Sequence, residues 1–146
     1  MKMFTFIIVL LAGCLAVSYA RANTDSLKQE PFIIKTTAAG EALWTLRQSY
    51  QHTQLNYKGS NLEAYYCKPQ NLIGFGKTLS VLDLPKQVVK KIQHRFQNFN
   101  IVNVMLFINA NGKIYYYAGL ENTHELVGVK ISTRCRLSVL QKISHN

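Results

Sequence analysis

The chain has 146 residues, with 17 Lys and Arg against seven Asp and Glu, and 48% of its residues are hydrophobic. That apolar content argues against an intrinsically disordered chain. The length excludes two full-sized domains, which run to roughly 100–200 residues each, and a TIM barrel, which takes about 250.

Met1-Lys2-Met3 precedes an uncharged apolar run from Phe4 to Ala20. This is the pattern of a secretory signal. The run sits at the short edge of a membrane span, and small residues follow it instead of a positive cluster. Ala20-Arg21-Ala22 fits a small-x-small cleavage site, which makes residues 1–22 a signal peptide and Asn23 the new N-terminus. Leu11-Ala12-Gly13-Cys14 resembles a lipobox, in which residues 1–13 are removed and Cys14 is lipidated. Either route predicts an exported protein, periplasmic or extracellular, that touches a membrane only through lipid on Cys14. Removal of residues 1–22 leaves fifteen basic and seven acidic residues, a net charge of about +8 on about 124 residues. Cys67 and Cys135 then remain, in a compartment where a disulfide between them would persist. Two cysteines permit a bridge without requiring one.

Residues 23–36 read as a flexible polar leader, broken by Pro31 and carrying the apolar knot Phe32-Ile33-Ile34. Residues 37–146 form the domain. From Ala38 to Gln51 the spacing of Ala39, Leu43, Leu46 and Tyr50 predicts a helix, with Glu41 in its first turn, where the helix dipole favours an anion. Lys58-Gly59-Ser60-Asn61 has turn composition. Asn61–Cys67 alternates as a strand, Pro69-Gln70-Asn71 is a second turn, and Leu72–Val81 is a strand weakened by Gly74 and Gly76. Asp83-Leu84-Pro85 opens a second helix, with proline in the first turn and Asp83 as its cap. Val89, Ile92, Phe96 and Phe99 form the buried stripe of that helix. Four strands follow: Ile101–Asn109, an Asn111-Gly112 hairpin signal, Ile114–Glu121, His124–Ser132, the turn Thr133-Arg134-Cys135, and Arg136–Ile143. Strands punctuated by two helices predict an α+β fold. It consists of two tandem helix-plus-antiparallel-strand units, 37–81 and 82–146, in two layers with both helices on one face of the sheet.

Alternation assigns the two faces of that sheet. Val102, Val104, Leu106, Ile108, Ile114, Tyr116, Ala118, Leu120, Val127, Val129, Ile131, Leu137 and Val139 make the core face. The other carries Asn103, Met105, Phe107, Lys113, Tyr115, Tyr117, Glu121, Leu126, Lys130, Arg136, Ser138 and Lys142. It is aromatic in the middle and basic around the edge, and aromatic surface of this kind suits a binding face. Met105, Phe107, Tyr115, Tyr117 and Lys130 are its expected centre.

No motif nominates a catalytic, cofactor or metal residue. Gly74-Phe75-Gly76-Lys77-Thr78 ends like a phosphate loop, but Asn71 stands where the motif needs glycine. His52, His94, His124 and His145 have no metal-ligand spacing. Cys67 lacks the flanks of a nucleophile family, and the acids form no obvious pair. The basic charge is spread over helices, turns and strands, so it tunes encounter and argues against nucleic acid as the partner.

The run Leu84-Pro85-Lys86-Gln87-Val88-Val89-Lys90-Lys91-Ile92, then Ile101-Val102-Asn103-Val104, is followed by Tyr115-Tyr116-Tyr117-Ala118-Gly119-Leu120 and by Leu126-Val127-Gly128-Val129-Lys130-Ile131-Ser132. This resembles the small exported bacterial domains called PepSY-like, or beta-lactamase-inhibitor-protein-like. The resemblance covers Leu79 to Ile143 well and Ala38 to Val81 loosely. The chain departs from it at Thr133-Arg134-Cys135, where the family's final turn normally carries Asp-Gly, and at Pro69-Gln70-Asn71. The resemblance implies a helix-plus-sheet repeat with an open sheet face for recognition, and no catalytic residues. Inhibition of beta-lactamase does not follow, since one fold hosts unrelated functions. The expectation is a non-enzymatic exported domain that binds a protein or peptide of the cell envelope through the aromatic face. The alternative is a lipid-anchored structural or ligand-sensing envelope protein, and a hydrolase using Cys67 is the weakest reading.

Overall fold

A computed structural model describes residues 30–67 and 71–146. The expected signal segment, Cys14 and the leader up to residue 29 lie outside the described residues, as do residues 69 and 70 of the expected turn.

Among the described residues the order is β1 (Phe32–Thr36), β2 (Ala42–Leu46), β3 (Tyr50–Tyr57), β4 (Ser60–Cys67), β5 (Asn71–Leu79), α1 (Lys86–Arg95), β6 (Asn100–Asn109), β7 (Ile114–Glu121), β8 (Glu125–Ser132) and β9 (Leu137–Ser144). Strands β3 to β9 form one seven-stranded antiparallel sheet whose spatial order is the chain order, and β1 and β2 make a separate hairpin. The α+β expectation of two helix-plus-strand units is therefore corrected. The described chain is predominantly antiparallel sheet with a single α-helix.

The segment expected to be the first helix holds the turn and second strand of the β1–β2 hairpin and the first two residues of β3. Its periodicity admits two readings. As a helix, Leu43 and Leu46 share a face. As a strand, Ala42, Trp44 and Leu46 share one, and these are the side chains that pack inward while Leu43 is 43% exposed. Local chemistry decides in favour of the strand. Gly40 takes φ +81°, a conformation open to glycine and hostile to a helix. Thr37 ties the turn by accepting from the Glu41 and Gly40 backbone N–H groups, at Oγ1 (3.1 Å) and at its carbonyl (2.9 Å).

The helix α1 is real but shorter than expected. Leu84, Val88, Ile92 and Phe96 recur every four residues and pack on Val104, Ala118, Leu120, Val127, Val129 and Ile131. Asp83 does not cap it. The cap position is Pro85, and Ser80 accepts from Leu82 N in a short 3-10 turn just before.

The core-face alternation holds, with two breaks in phase. A bulge at Ile101/Asn103 turns Val102 outward to 41% exposure and places Ile101 on the helix side. A second, between Gly128 and Val129 in their pairing with β9, shifts that strand so that Gln141 and Ile143 lie opposite Gly128 and Leu126. The face opposite α1 is not open. The β1–β2 hairpin lies on it, which makes three layers: helix, sheet, hairpin. Gly119 and Gly128 pair directly across β7 and β8. A Cβ at Gly119 would stand 2.5 Å from Ile34 Cδ1, and one at Gly128 would stand 2.9 Å from Trp44 Cη2. The two glycines thus clear a trough into which Ile34 and Trp44 settle. Sheet side chains also satisfy hairpin backbone groups: Ile34 N donates to Gln141 Oε1 (3.1 Å), and Asn103 Nδ2 donates to the Ala42 carbonyl (3.0 Å).

Candidate functional site

The five residues expected at the centre of a binding face do share one face. Phe107 lies opposite Tyr115, Met105 opposite Tyr117, and Tyr117 opposite Lys130. Their availability is what the structure corrects. Met105, Phe107 and Tyr117 are 5%, 4% and 1% exposed. Phe32 stands edge-on to Tyr65, Phe107 and Tyr117 at 4.9, 5.1 and 5.0 Å, and Trp44 stands edge-on to Tyr117 at 5.5 Å. The aromatic face is a second hydrophobic core, closed by the segment that the sequence pattern marks as leader and helix. Leu126, expected on the same free face, is fully buried beside Ile34 and Ala42.

Tyr115 and Lys130 emerge at one end of this core and line a groove of about 610 Å³. Two turns at the same end of the sheet build its walls. In the β6–β7 turn, Asn109 Oδ1 accepts from Asn111 N (3.0 Å) and Lys113 N (2.9 Å), which presents Lys113. In the β8–β9 turn, Cys135 N donates to the Ser132 carbonyl (2.9 Å) and Arg136 N to Ser132 Oγ (3.2 Å), which sets Arg134 and Arg136 on the rim. Lys113, Lys130, Arg134 and Arg136 therefore converge, and Glu30 is the one carboxylate among the described lining residues. Arg134 and Arg136 also border a neighbouring cavity with Lys91, His94 and Arg95 from the end of α1, so the β8–β9 turn is a cationic ridge.

Glu30 occupies the inner end of the groove. Lys130 Nζ donates to Glu30 Oε1 at 2.6 Å and lies 4.3 Å from the centre of the Tyr115 ring. Tyr117 Oη donates to Glu30 Oε2 at 2.8 Å. Burial first, and then the Glu30 carboxylate, pushes the Tyr117 hydroxyl well above its usual range, so it remains a donor. Arginine forks and lysine ammoniums around a concave site suit carboxylate, phosphate or sulfate.

A second concavity of about 430 Å³ lies beside β2, β3 and β4. Glu63 Oε2 accepts a short hydrogen bond from Tyr65 Oη and lies 3.4 Å from His52 Nδ1. The His52 and Tyr65 rings stack at 5.8 Å. Burial, followed by the Glu63 hydrogen bond, pushes the Tyr65 hydroxyl upward. Trp44 Nε1 is buried there without a hydrogen-bond partner. Sequence reasoning missed this site because residues 50–57 carry no strong alternation. The available signal was Gly76, whose missing side chain makes room for the Tyr65 ring, with Cε2 2.5 Å from a Cβ built there.

The remaining candidates are dispersed. Cys67 lies in the hairpin-side core and Cys135 packs against the helix-side core, so the sheet separates them and no disulfide joins them. His52 meets Glu63, and His145 Nε2 meets Glu121 Oε1 at 3.2 Å. Among the described residues no three or more His, Cys, Asp or Glu side chains gather as a metal site. The phosphate-loop-like stretch Gly74–Thr78 lies inside β5. Among the described residues no helix is long and apolar enough to cross a membrane. No family model, curated protein or solved structure matches the chain.

Proposed function

We propose that the protein is a non-enzymatic, exported binding domain that recognises an acidic segment of an envelope protein or peptide in the groove beside Lys130. The observation that carries this reading is the convergence of Lys113, Lys130, Arg134 and Arg136 on one concave site with an aromatic wall at Tyr115. Such a site attracts an acidic partner from a distance and orients it by bidentate contacts. Export rests on the N-terminal pattern of Lys2, the Phe4–Ala20 run and Ala20-Arg21-Ala22.

The test is fluorescence anisotropy of a labelled hexaglutamate peptide with the purified protein at low salt, with hexaglutamine as the control. Arg134→Ser with Arg136→Ser is expected to weaken hexaglutamate binding about tenfold or more. Equal affinity of the double variant and the parent contradicts the groove as the site. The second reading, a ligand-sensing envelope protein, is favoured by the cleft between Trp44, His52 and Tyr65. The mass of the mature N-terminus decides whether Cys14 anchors it.

A further inference from the structure

Glu30 behaves as a ligand already seated in the groove. Its carboxylate meets two donors fixed on adjacent strands: Tyr117 Oη of β7 and Lys130 Nζ of β8, at directly paired positions. Both donors are held without its help. The Tyr117 ring is packed edge-on by Phe32, Trp44 and Phe107, at 5.0, 5.5 and 6.0 Å. The Lys130 ammonium rests over the Tyr115 ring. A buried tyrosine hydroxyl needs an acceptor, so this pair forms a preorganised receptor for one carboxylate.

The Glu30 side chain, by contrast, is only partly buried. It is 32% exposed, and Lys130 is 22% exposed, so the contact is reachable from solvent. The Glu30 backbone is held separately: Arg47 Nε donates to the Glu30 carbonyl at 2.9 Å, and Arg47 N to the Pro31 carbonyl at 3.0 Å. The carboxylate can therefore rotate out while β1 stays docked.

We infer, resting on the groove reading above, that Tyr117 and Lys130 form a carboxylate-recognition site that Glu30 fills in the unliganded protein, and that an acidic side chain of the partner binds by taking its place. Glu30 is then an internal competitor that lowers the apparent affinity by the fraction of time it occupies the site. Lys113, Arg134 and Arg136 receive the partner's neighbouring acids.

Anisotropy with labelled hexaglutamate tests this on the parent protein, Glu30→Ala, Glu30→Gln, and Glu30→Ala combined with Tyr117→Phe, with Trp44 fluorescence confirming that each variant is folded. Removal of the competitor is expected to tighten binding about fivefold in Glu30→Ala. Glu30→Gln keeps an acceptor but drops the charge, so it should fall between Glu30→Ala and the parent. It also carries the test if the alanine variant does not fold. Adding Tyr117→Phe removes the donor but keeps the ring, and should cancel the gain. If Glu30→Ala or Glu30→Gln binds no tighter than the parent, Glu30 is a structural contact and the inference falls while the groove reading stands. If the gain survives Tyr117→Phe, it reflects only a lost negative charge, and the recognition site is refuted. Absence of binding to every variant overturns both the inference and the groove reading.

Discussion

Phe32→Ala should destabilise the protein severely, although the residue lies in a stretch whose composition suggests a loose leader. Phe32 is 2% exposed and stands edge-on to three rings at about 5 Å. Truncating a buried phenylalanine costs about 3–5 kcal/mol, because transfer free energy is lost and a cavity remains. Each aromatic edge contact adds roughly 0.5–1.5 kcal/mol beyond area burial, so the upper half of that range is expected. Against a total stability of about 5–15 kcal/mol, this is a large fraction. With a urea slope of about 1–3 kcal/mol/M, the midpoint should fall by roughly 1.3–5 M. Urea unfolding can be followed by far-UV circular dichroism for the sheet and by fluorescence of Trp44, the one tryptophan, for the hairpin. A loss below about 1 kcal/mol, the range of an exposed site, would refute the packing of the hairpin on the aromatic face.

Gly128→Val should cost about 1–3 kcal/mol, since its Cβ alone comes within 2.9 Å of Trp44 and 3.1 Å of Ile34; an unchanged urea midpoint would mean the hairpin does not seat in the glycine trough. The hydroxyls of Tyr50, Tyr65, Tyr116 and Tyr117 are all raised above the ordinary 10.0, chiefly by burial. The unfolded chain therefore releases these protons first. Their contribution is intact below about pH 10 and is lost as pH rises beyond it, by roughly 1.4 kcal/mol per pH unit for each of the buried pair Tyr65 and Tyr117. Urea midpoints that stay flat from pH 8 to about 11 would contradict that burial. Non-reducing peptide mapping should recover Cys67 and Cys135 in separate peptides; a linked pair would contradict their placement on opposite faces of the sheet.

The second half of the fold is legible because its strands are long and rich in β-branched and aromatic residues and its first hairpin turn carries Asn111-Gly112. β7 falls at the expected residues, and β6, β8 and β9 lie within one position of them. Phase within a strand was less legible. Nothing local announces the bulge that turns Val102 out, because a bulge depends on the register of the partner strand. The false helix at 38–51 has a local cause: Ala39, Leu43, Leu46 and Tyr50 satisfy a helical spacing, while Ala42, Trp44 and Leu46 satisfy a strand spacing over the same residues. Period alone cannot separate these in so short a run. Gly40 and the neighbouring threonines carried the decision. Alternation groups Met105, Phe107 and Tyr117 on one face but does not show that the face is covered. Its covering element lies far away in sequence, as the 87-residue separation of Tyr117 and Glu30 shows. The facing pair Gly119 and Gly128 was the readable hint, since glycine inside a strand often marks the close approach of another element. For the groove, alternation places Lys130 and Tyr115 on the right face. The sequence marks Arg134 only as a turn residue and Arg136 only as an edge residue, because their convergence with Lys113 depends on two hairpins ending at the same end of the sheet.

The aromatic face is an internal core, and the proposed recognition site is the cationic groove at its end. Backbone amide chemical-shift mapping during titration with hexaglutamate tests it most directly. Shifts confined to Glu30, residues 112–115, Lys130 and residues 132–138 are expected, with Met105 and Phe107 unmoved. Shifts centred on Met105, Phe107 and the β1–β2 hairpin, or spread evenly over the lysines of α1, would contradict it.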